Sequence, residues 1–281
     1  MKKRFLLTGI AVGLLVVSIS VAGRMTAIST DEKKGVPVAS ENIRTFVIVE
    51  LFTSEGCSSC PPADALLTQL EKTQPVKGAE IIVLSQHVDY WNRLGWADPF
   101  SSPAFSARQG EYSRAFGKQN VYTPQMIVDG QAEFNGSNKN RAYEAIAIAA
   151  QTPKASVQIA TPVQGQEEKR LGRLRLRVNV EGLPAISDGD NAEVLLAITE
   201  SNLSTNVARG ENAGRRLYHV GVVRSLTVIG SVDPQGDGAF TAEPVVEMGK
   251  GMRRENLRAV VFVQERASRR VLGAAAAGLA E

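Results

Sequence analysis

TFVIVELFTSEGCSSCPPADALLTQL, running from Thr45 to Leu70, sets two cysteines between a strand and a helix. Thr45 to Phe52 is a nearly continuous apolar run, the pattern of a strand buried on both faces. Thr53-Ser54-Glu55-Gly56 reads as a turn. Ala63, Leu66, Leu67 and Leu70 then fall on one helical face. Gln74-Pro75-Val76-Lys77-Gly78 breaks the helix, and Ala79 to Ser85 reads as a second buried strand. Strand, helix and strand within about forty residues predict the βαβ unit of an α/β domain.

The chemistry follows from that placement. A strand that delivers Cys57 to a helix start sets its thiol against free backbone N–H groups and the positive end of the helix dipole. Such a thiol ionises below about pH 8.5 and becomes a nucleophile. Cys60, with two residues between, is placed to resolve a mixed disulfide. Pro61-Pro62 belongs in the first helical turn, where missing N–H groups cost least. Two other readings stay open. The pair is a permanent clasp on the turn, or it is half of a metal site. Zinc would need two more ligands, and His87 and His219 are the only histidines. A cysteine pair with a nearby histidine also suits copper(I).

His87 and Asp89 follow the second buried strand, and ligand crevices in open α/β sheets lie beyond the carboxyl ends of strands. They are candidates to handle protons for the dithiol, or else to cap backbone groups. Residues 86–118 hold both tryptophans, Trp91 and Trp96, with Tyr90, Phe100, Phe105, Tyr112 and Phe116. This aromatic insert is expected to roof the site, and Ser101-Ser102-Pro103 marks a helix start inside it. Val121 to Gly130 reads as a third strand, and within it Thr123-Pro124 comes immediately before Gln125–Asp129. A cis Pro124 there would face the cysteines, with Tyr122 and Thr123 offering backbone groups to an extended substrate. Asp129-Gly130 suggests a hairpin. A helix over Lys139 to Gln151 closes the first domain, 45–152.

From 153 to 281 the period changes to two. Leu174, Leu176, Val178 and Val180 alternate with Arg173, Arg175, Arg177 and Asn179. Further strand-like runs are Ala155–Thr161, Glu193–Glu200, Tyr218–Ile229, Ala239–Glu247 and Leu257–Gln264. Turn signals separate them, and the set predicts an antiparallel β-sandwich. His219 falls in one of these strands and reads as structural.

Lys2, Lys3 and Arg4 precede an apolar run from Phe5 to Ala22, the pattern of a secretory signal. Ser20-Val21-Ala22 offers a cleavage site, and an uncleaved membrane tether through residues 5–22 is the rival reading. Residues 23–44 read as a linker. The formal charge of the chain is +3, which those three basic residues account for. Bulk charge therefore gives no reason to expect a nucleic-acid partner. Two cysteines cannot staple a chain of 281 residues, so this is not a disulfide-rich scaffold.

The run from Val49 to Asp64 resembles a secreted, mostly proteobacterial family known as a domain of unknown function. So do His87-Val88-Asp89-Tyr90-Trp91, Val121-Tyr122-Thr123-Pro124-Gln125-Met126 and Arg209-Gly210-Glu211-Asn212-Ala213-Gly214-Arg215. The resemblance implies a thioredoxin-like fold and export, and brings no activity or substrate. The expectation is therefore an α/β thioredoxin-like domain followed by an all-β sandwich-like domain, in a periplasmic or secreted protein. It would exchange disulfides with a protein or small thiol partner and need no cofactor. The alternatives are a binding scaffold with a structural Cys57–Cys60 bond and a copper(I) chaperone.

Overall fold

The apolar run that opens the reading forms strand β1 (Thr45–Thr53) in a computed structural model describing residues 44–162, 164–165, 172–232, 238–249 and 251–280. The expected leader, and the linker apart from Arg44, lie outside the described residues. No helix among the described residues is long and apolar enough to cross a membrane.

After β1 come α1 (Pro61–Thr73), β2 (Ala79–His87), α2 (Pro103–Ala115), β3 (Gln125–Val128), β4 (Ala132–Asn135) and α3 (Lys139–Ala149). Then follow β5 (Ser156–Ala160), β6 (Arg173–Arg175), β7 (Arg177–Glu181), β8 (Ala192–Glu200), β9 (Leu203–Asn206) and β10 (Arg216–His219). The chain continues through β11 (Val222–Val232), β12 (Phe240–Ala242), β13 (Val245–Glu247), β14 (Leu257–Glu265) and β15 (Val271–Gly278). β1 runs parallel to β2, while β3 and β4 form the hairpin at Asp129-Gly130. Ser102 caps α2, accepting from the Ala104 N–H, with Pro103 in the first turn.

The expected thioredoxin-like α/β domain followed by an all-β sandwich is not what the chain builds. Among the described residues there are fifteen strands against three α-helices, and eight strands join one mixed sheet. Its order is β15-β14-β8-β11-β2-β1-β3-β4, so it draws on strands from both sides of residue 152. The physical reason lies in β8 and β14. Both are buried on both faces over nearly their whole length, as β1 and β2 are. Such strands belong in the middle of a covered sheet, not in a sandwich with one wet face. β11 completes the join, pairing antiparallel with β8 and parallel with β2. At that seam the Ser85 N–H donates to the Gly221 carbonyl at 2.8 Å. Gly221 has φ +56°, and a Cβ there would lie 2.6 Å from the Val83 carbonyl oxygen. Only glycine allows so close an approach.

Three layers cover the sheet. Val47, Val49, Leu51, Ile81 and Val83 pack on α1 and α3. On the same sheet's β8–β14 end, Val194, Leu196, Ala259 and Val261 pack on β5, β6 and β7, whose inward residues Val157, Leu174 and Val178 are joined by Leu176 from between β6 and β7. This is where the alternating leucines and valines of 174–180 go. The opposite face carries Ile48, Ile82, Leu84, Leu195 and Phe262 against Phe105 of α2.

Beneath α2 lies a buried polar network. The Arg108 guanidinium donates to both Glu50 oxygens, at 2.7 and 2.9 Å, and to the Gln264 side-chain oxygen at 2.9 Å. Tyr112 Oη and the Gln86 amide also donate to Glu50. Burial works against the Glu50 charge, but Arg108 and Tyr112 hold its carboxyl below the ordinary range. The network ties β1 and β2 through α2 to β14.

Candidate functional site

β1 ends at Thr53, and the turn Ser54-Glu55-Gly56 carries the chain to Cys57 at the mouth of α1. Cys57 and Cys60 are disulfide-bonded, with Cα atoms 5.5 Å apart. Both are fully buried, while Ser58 and Ser59 between them are exposed. Cys60 is the N-cap of α1, and its carbonyl accepts from the N–H groups of Ala63 and Asp64. Pro61 and Pro62 have no N–H to offer, so the helix start gives Cys57 less amide stabilisation than its position suggests. The donor that does lie against Cys57 Sγ is the Ser59 hydroxyl, 3.3 Å away.

The Thr123–Pro124 peptide is cis. A Cβ on Gly136 would meet Ala63 Cβ at 3.1 Å and Pro124 Cβ at 3.2 Å, so this glycine lets the proline turn approach the first turn of α1. The Gly136 N–H donates to the Pro124 carbonyl at 2.9 Å. Trp91 connects the two turns. Its indole N–H donates to Thr123 Oγ1 at 2.8 Å, and its Cβ would lie 3.3 Å from a Cβ on Gly56. Tyr122 is exposed and donates to Glu133 at 2.5 Å. Its carbonyl accepts from Gln109 of α2 at 2.7 Å.

His87 does not stand alone. Its Nδ1 lies 2.7 Å from Asp98 Oδ2, and its ring meets that of His219 edge to face with centroids 4.9 Å apart. Phe100 packs against both rings. His219 Nε2 lies 2.9 Å from Glu55 Oε1, and Trp96 Nε1 donates to Glu55 Oε2 at 2.8 Å. Glu55, in the turn that leads to the cysteines, is buried, as are Asp98 and His219 bonded to it and His87 bonded to Asp98. Asp64, on the first turn of α1, accepts from Thr53 Oγ1 at 3.0 Å. Burial raises its pKa, although the histidines and the Thr53 bond pull the other way. The second nitrogens, His87 Nε2 and His219 Nδ1, are buried without a hydrogen-bond partner. Asp89 is placed differently. It accepts from the Ser106 hydroxyl at 2.5 Å, and its N–H donates to the same oxygen at 3.1 Å, which pins it to α2.

The loop 207–215, between β9 and β10, holds the cysteine turn from the other side. The Asn212 amide donates to the carbonyls of Glu55 and Cys57, both at 2.9 Å. Glu211 accepts from the Ser58 N–H at 2.9 Å, and the Ser58 hydroxyl and N–H together lower its pKa. Sequence reading singled out Cys57, Cys60, Thr123, Pro124, Trp91, Trp96 and His87, and the structure gathers these around one turn. It missed Glu55, Asp98 and Asn212 and set His219 aside. The signal for His219 was alternation. Leu217 and His219 both face inward in β10 while Arg216 and Tyr218 are exposed. The described residues include no group of three or more His, Cys, Asp or Glu placed to hold a metal ion.

The His87–Asp98 pair makes stability depend on pH. Burial disfavours the imidazolium, but Asp98, Asp64 and Glu55 together lift the His87 pKa above its ordinary 6.5. That contribution is complete below pH 6.5 and is lost as pH rises through the raised value. Burial likewise opposes the Asp98 charge, yet His87 and the N–H groups of Glu55 and Phe100 hold its pKa below 3.8. Its contribution is present above 3.8 and is lost as pH falls through the lowered value. The urea midpoint of His87→Gln should therefore fall furthest below that of the parent between about pH 4 and 6.5, and the gap should narrow above neutrality. A gap that stays constant from acid to alkaline pH would show that the pair does not titrate in this way.

No curated protein matches the chain. Its fold is similar to that of the X-ray structure of a protein from Agrobacterium tumefaciens, 24% identical, with a TM-score of 0.65 over 85% of this chain and 96% of that one. A family profile fits residues 48–264, and the chain belongs to that family, described as protein of unknown function (DUF1223).

Proposed function

We propose that the chain is an exported thiol–disulfide oxidoreductase working through Cys57 and Cys60. One observation carries the reading. The only two cysteines are bonded to each other at the mouth of a helix, next to a turn whose Glu55 joins a buried acid–base cluster that holds the only two histidines. A clasp on a turn has no need of such a cluster, whereas a dithiol that cycles must give up and take back two protons.

In the oxidised form a substrate thiolate attacks Cys57 Sγ. The Cys57–Cys60 bond breaks, and Cys60 leaves as a thiolate that takes a proton. A second substrate thiolate then attacks the substrate sulfur of that mixed disulfide, and Cys57 leaves as a thiolate that takes a proton. Substrate leaves as a disulfide, and two electrons and two protons stay on the cysteines. Asp64, on the first turn of α1, and the His87–Asp98 and His219–Glu55 pairs, tied to the cysteine turn through Glu55, are the groups this reading assigns to move those protons.

The complete burial of both cysteines favours a second reading, in which the bond is a permanent clasp and the fold a binding scaffold. The reduction potential separates them. A value between about −270 and −120 mV fits a working oxidoreductase, and one below about −300 mV fits the clasp. Cys60→Ser should leave Cys57 to accumulate as a mixed disulfide with its partner in exported extracts. Absence of any Cys57 adduct by mass spectrometry counts against the enzyme.

A further inference from the structure

Beside the disulfide a cleft of about 370 Å³ opens between the first turns of α1 and strand β10. Pro61, Asp64 and Thr68 form one wall, and Arg215, Arg216 and Tyr218 the other. Pro61 follows Cys60 directly, so the cleft wall begins one residue from the cysteine pair. Both arginines are exposed, and neither makes an ion pair among the described residues. Arg215 gives one N–H to Asn212 Oδ1 at 2.9 Å, and Arg216 gives one to Ser204 Oγ at 3.0 Å. The remaining donors of these two guanidinium groups meet no carboxylate among the described residues. Tyr218 is 65% exposed, under the Arg216 guanidinium at 5.5 Å, and adds an apolar ring to the same wall. Asp64, the carboxyl that lines the cleft, is held towards its neutral form by burial. Glu211, held in its charged form against Ser58, does not line the cleft.

We infer that this cleft selects an anionic thiol, one whose sulfur attacks the Cys57–Cys60 bond while its own carboxylate or sulfonate pairs with Arg215 and Arg216. The inference rests on the redox reading and names its substrate class. Guanidinium suits the anion because its planar fork can bind both oxygens of a carboxylate. Fixed charge at the mouth of a site also raises the encounter rate of an opposite charge and lowers that of a like charge.

The test measures how fast the oxidised full-length protein is reduced by 2-mercaptoethanesulfonate, 2-mercaptoethanol and cysteamine. Free cysteines are counted by alkylation and mass spectrometry, and rates are corrected for the thiolate fraction. At low salt the anionic thiol should outpace the cationic one by about tenfold, and the ratio should shrink as salt is added. In Arg216→Glu the ratio should fall to about one or invert. Equal corrected rates for all three thiols in the parent overturn the inference and leave the redox reading standing. Failure of every thiol, the neutral one included, to reduce the pair overturns the redox reading itself. Cysteine peptides flanked by Asp or by Lys form a second arm. A larger charge preference among the peptides than among the small thiols identifies a protein segment as the source of the anion, and a smaller one identifies a free thiol.

Discussion

Replacing Arg108 with methionine should lower the free energy of unfolding at neutral pH by about 3–5 kcal/mol, the usual cost of leaving one partner of a buried ion pair behind. The side chains of Arg108 and Glu50 are 6% and 1% exposed, so water cannot take over the solvation of the carboxylate. Methionine keeps much of the apolar stem that packs near Phe262 and Tyr112, so the loss reports charge more than volume. Two further results should follow. In the parent, Glu50 stabilises above its ordinary 4.5 and loses that contribution as pH falls through its lowered value. In the variant the stranded carboxylate is relieved by protonation, so the deficit should be smaller at pH 4.5 than at pH 7.5. Adding Glu50→Gln removes the charge while keeping an acceptor for Tyr112 and Gln86, and should recover part of the loss. Urea unfolding of the parent and the two variants at both pH values checks all of this. A deficit below about 1 kcal/mol at pH 7.5 would mean that the pair contributes no more than a surface one.

The second large effect concerns access to the cysteines. Asn212 is fully buried, and its amide supplies both hydrogen bonds that join the 207–215 loop to the carbonyls of Glu55 and Cys57. Asn212→Ala removes both. At about 1 kcal/mol each, that favours parting of the loop from the cysteine turn by about 2 kcal/mol, or roughly 30-fold. Reduction by a neutral thiol, and alkylation of Cys57 once reduced, should speed up by a similar factor. Glu211→Gln changes only an exposed contact to the Ser58 N–H and should alter those rates by less than about threefold. Unchanged rates in Asn212→Ala would show that some other segment controls the way in.

The first half of this arrangement was legible because its signals are local. The continuous apolar run at Thr45–Thr53, the helical stripe Ala63, Leu66, Leu67 and Leu70, and the Asp129-Gly130 turn each declare themselves within a dozen residues. The misreading of the second half came from extending the alternation of 174–180 to its neighbours. Ala192–Glu200 and Leu257–Glu265 are continuous apolar runs like β1, and that continuity already argued for the centre of a covered sheet. Strand β15 was missed because four consecutive alanines carry little β propensity, and its place comes from packing and from pairing with β14. Asn212 and Glu55 lay beyond reach for a different reason. What they do depends on contacts more than 150 residues apart, which no local pattern encodes.

The amide that secures the cysteine turn belongs to a residue 155 positions downstream of Cys57. A nascent chain therefore carries its two thiols bare for as long as the ribosome takes to make that interval. Whatever oxidant or reductant it meets then acts on unguarded sulfur, so the first redox state of the newborn protein is set by its surroundings during synthesis, before the finished fold can have any say.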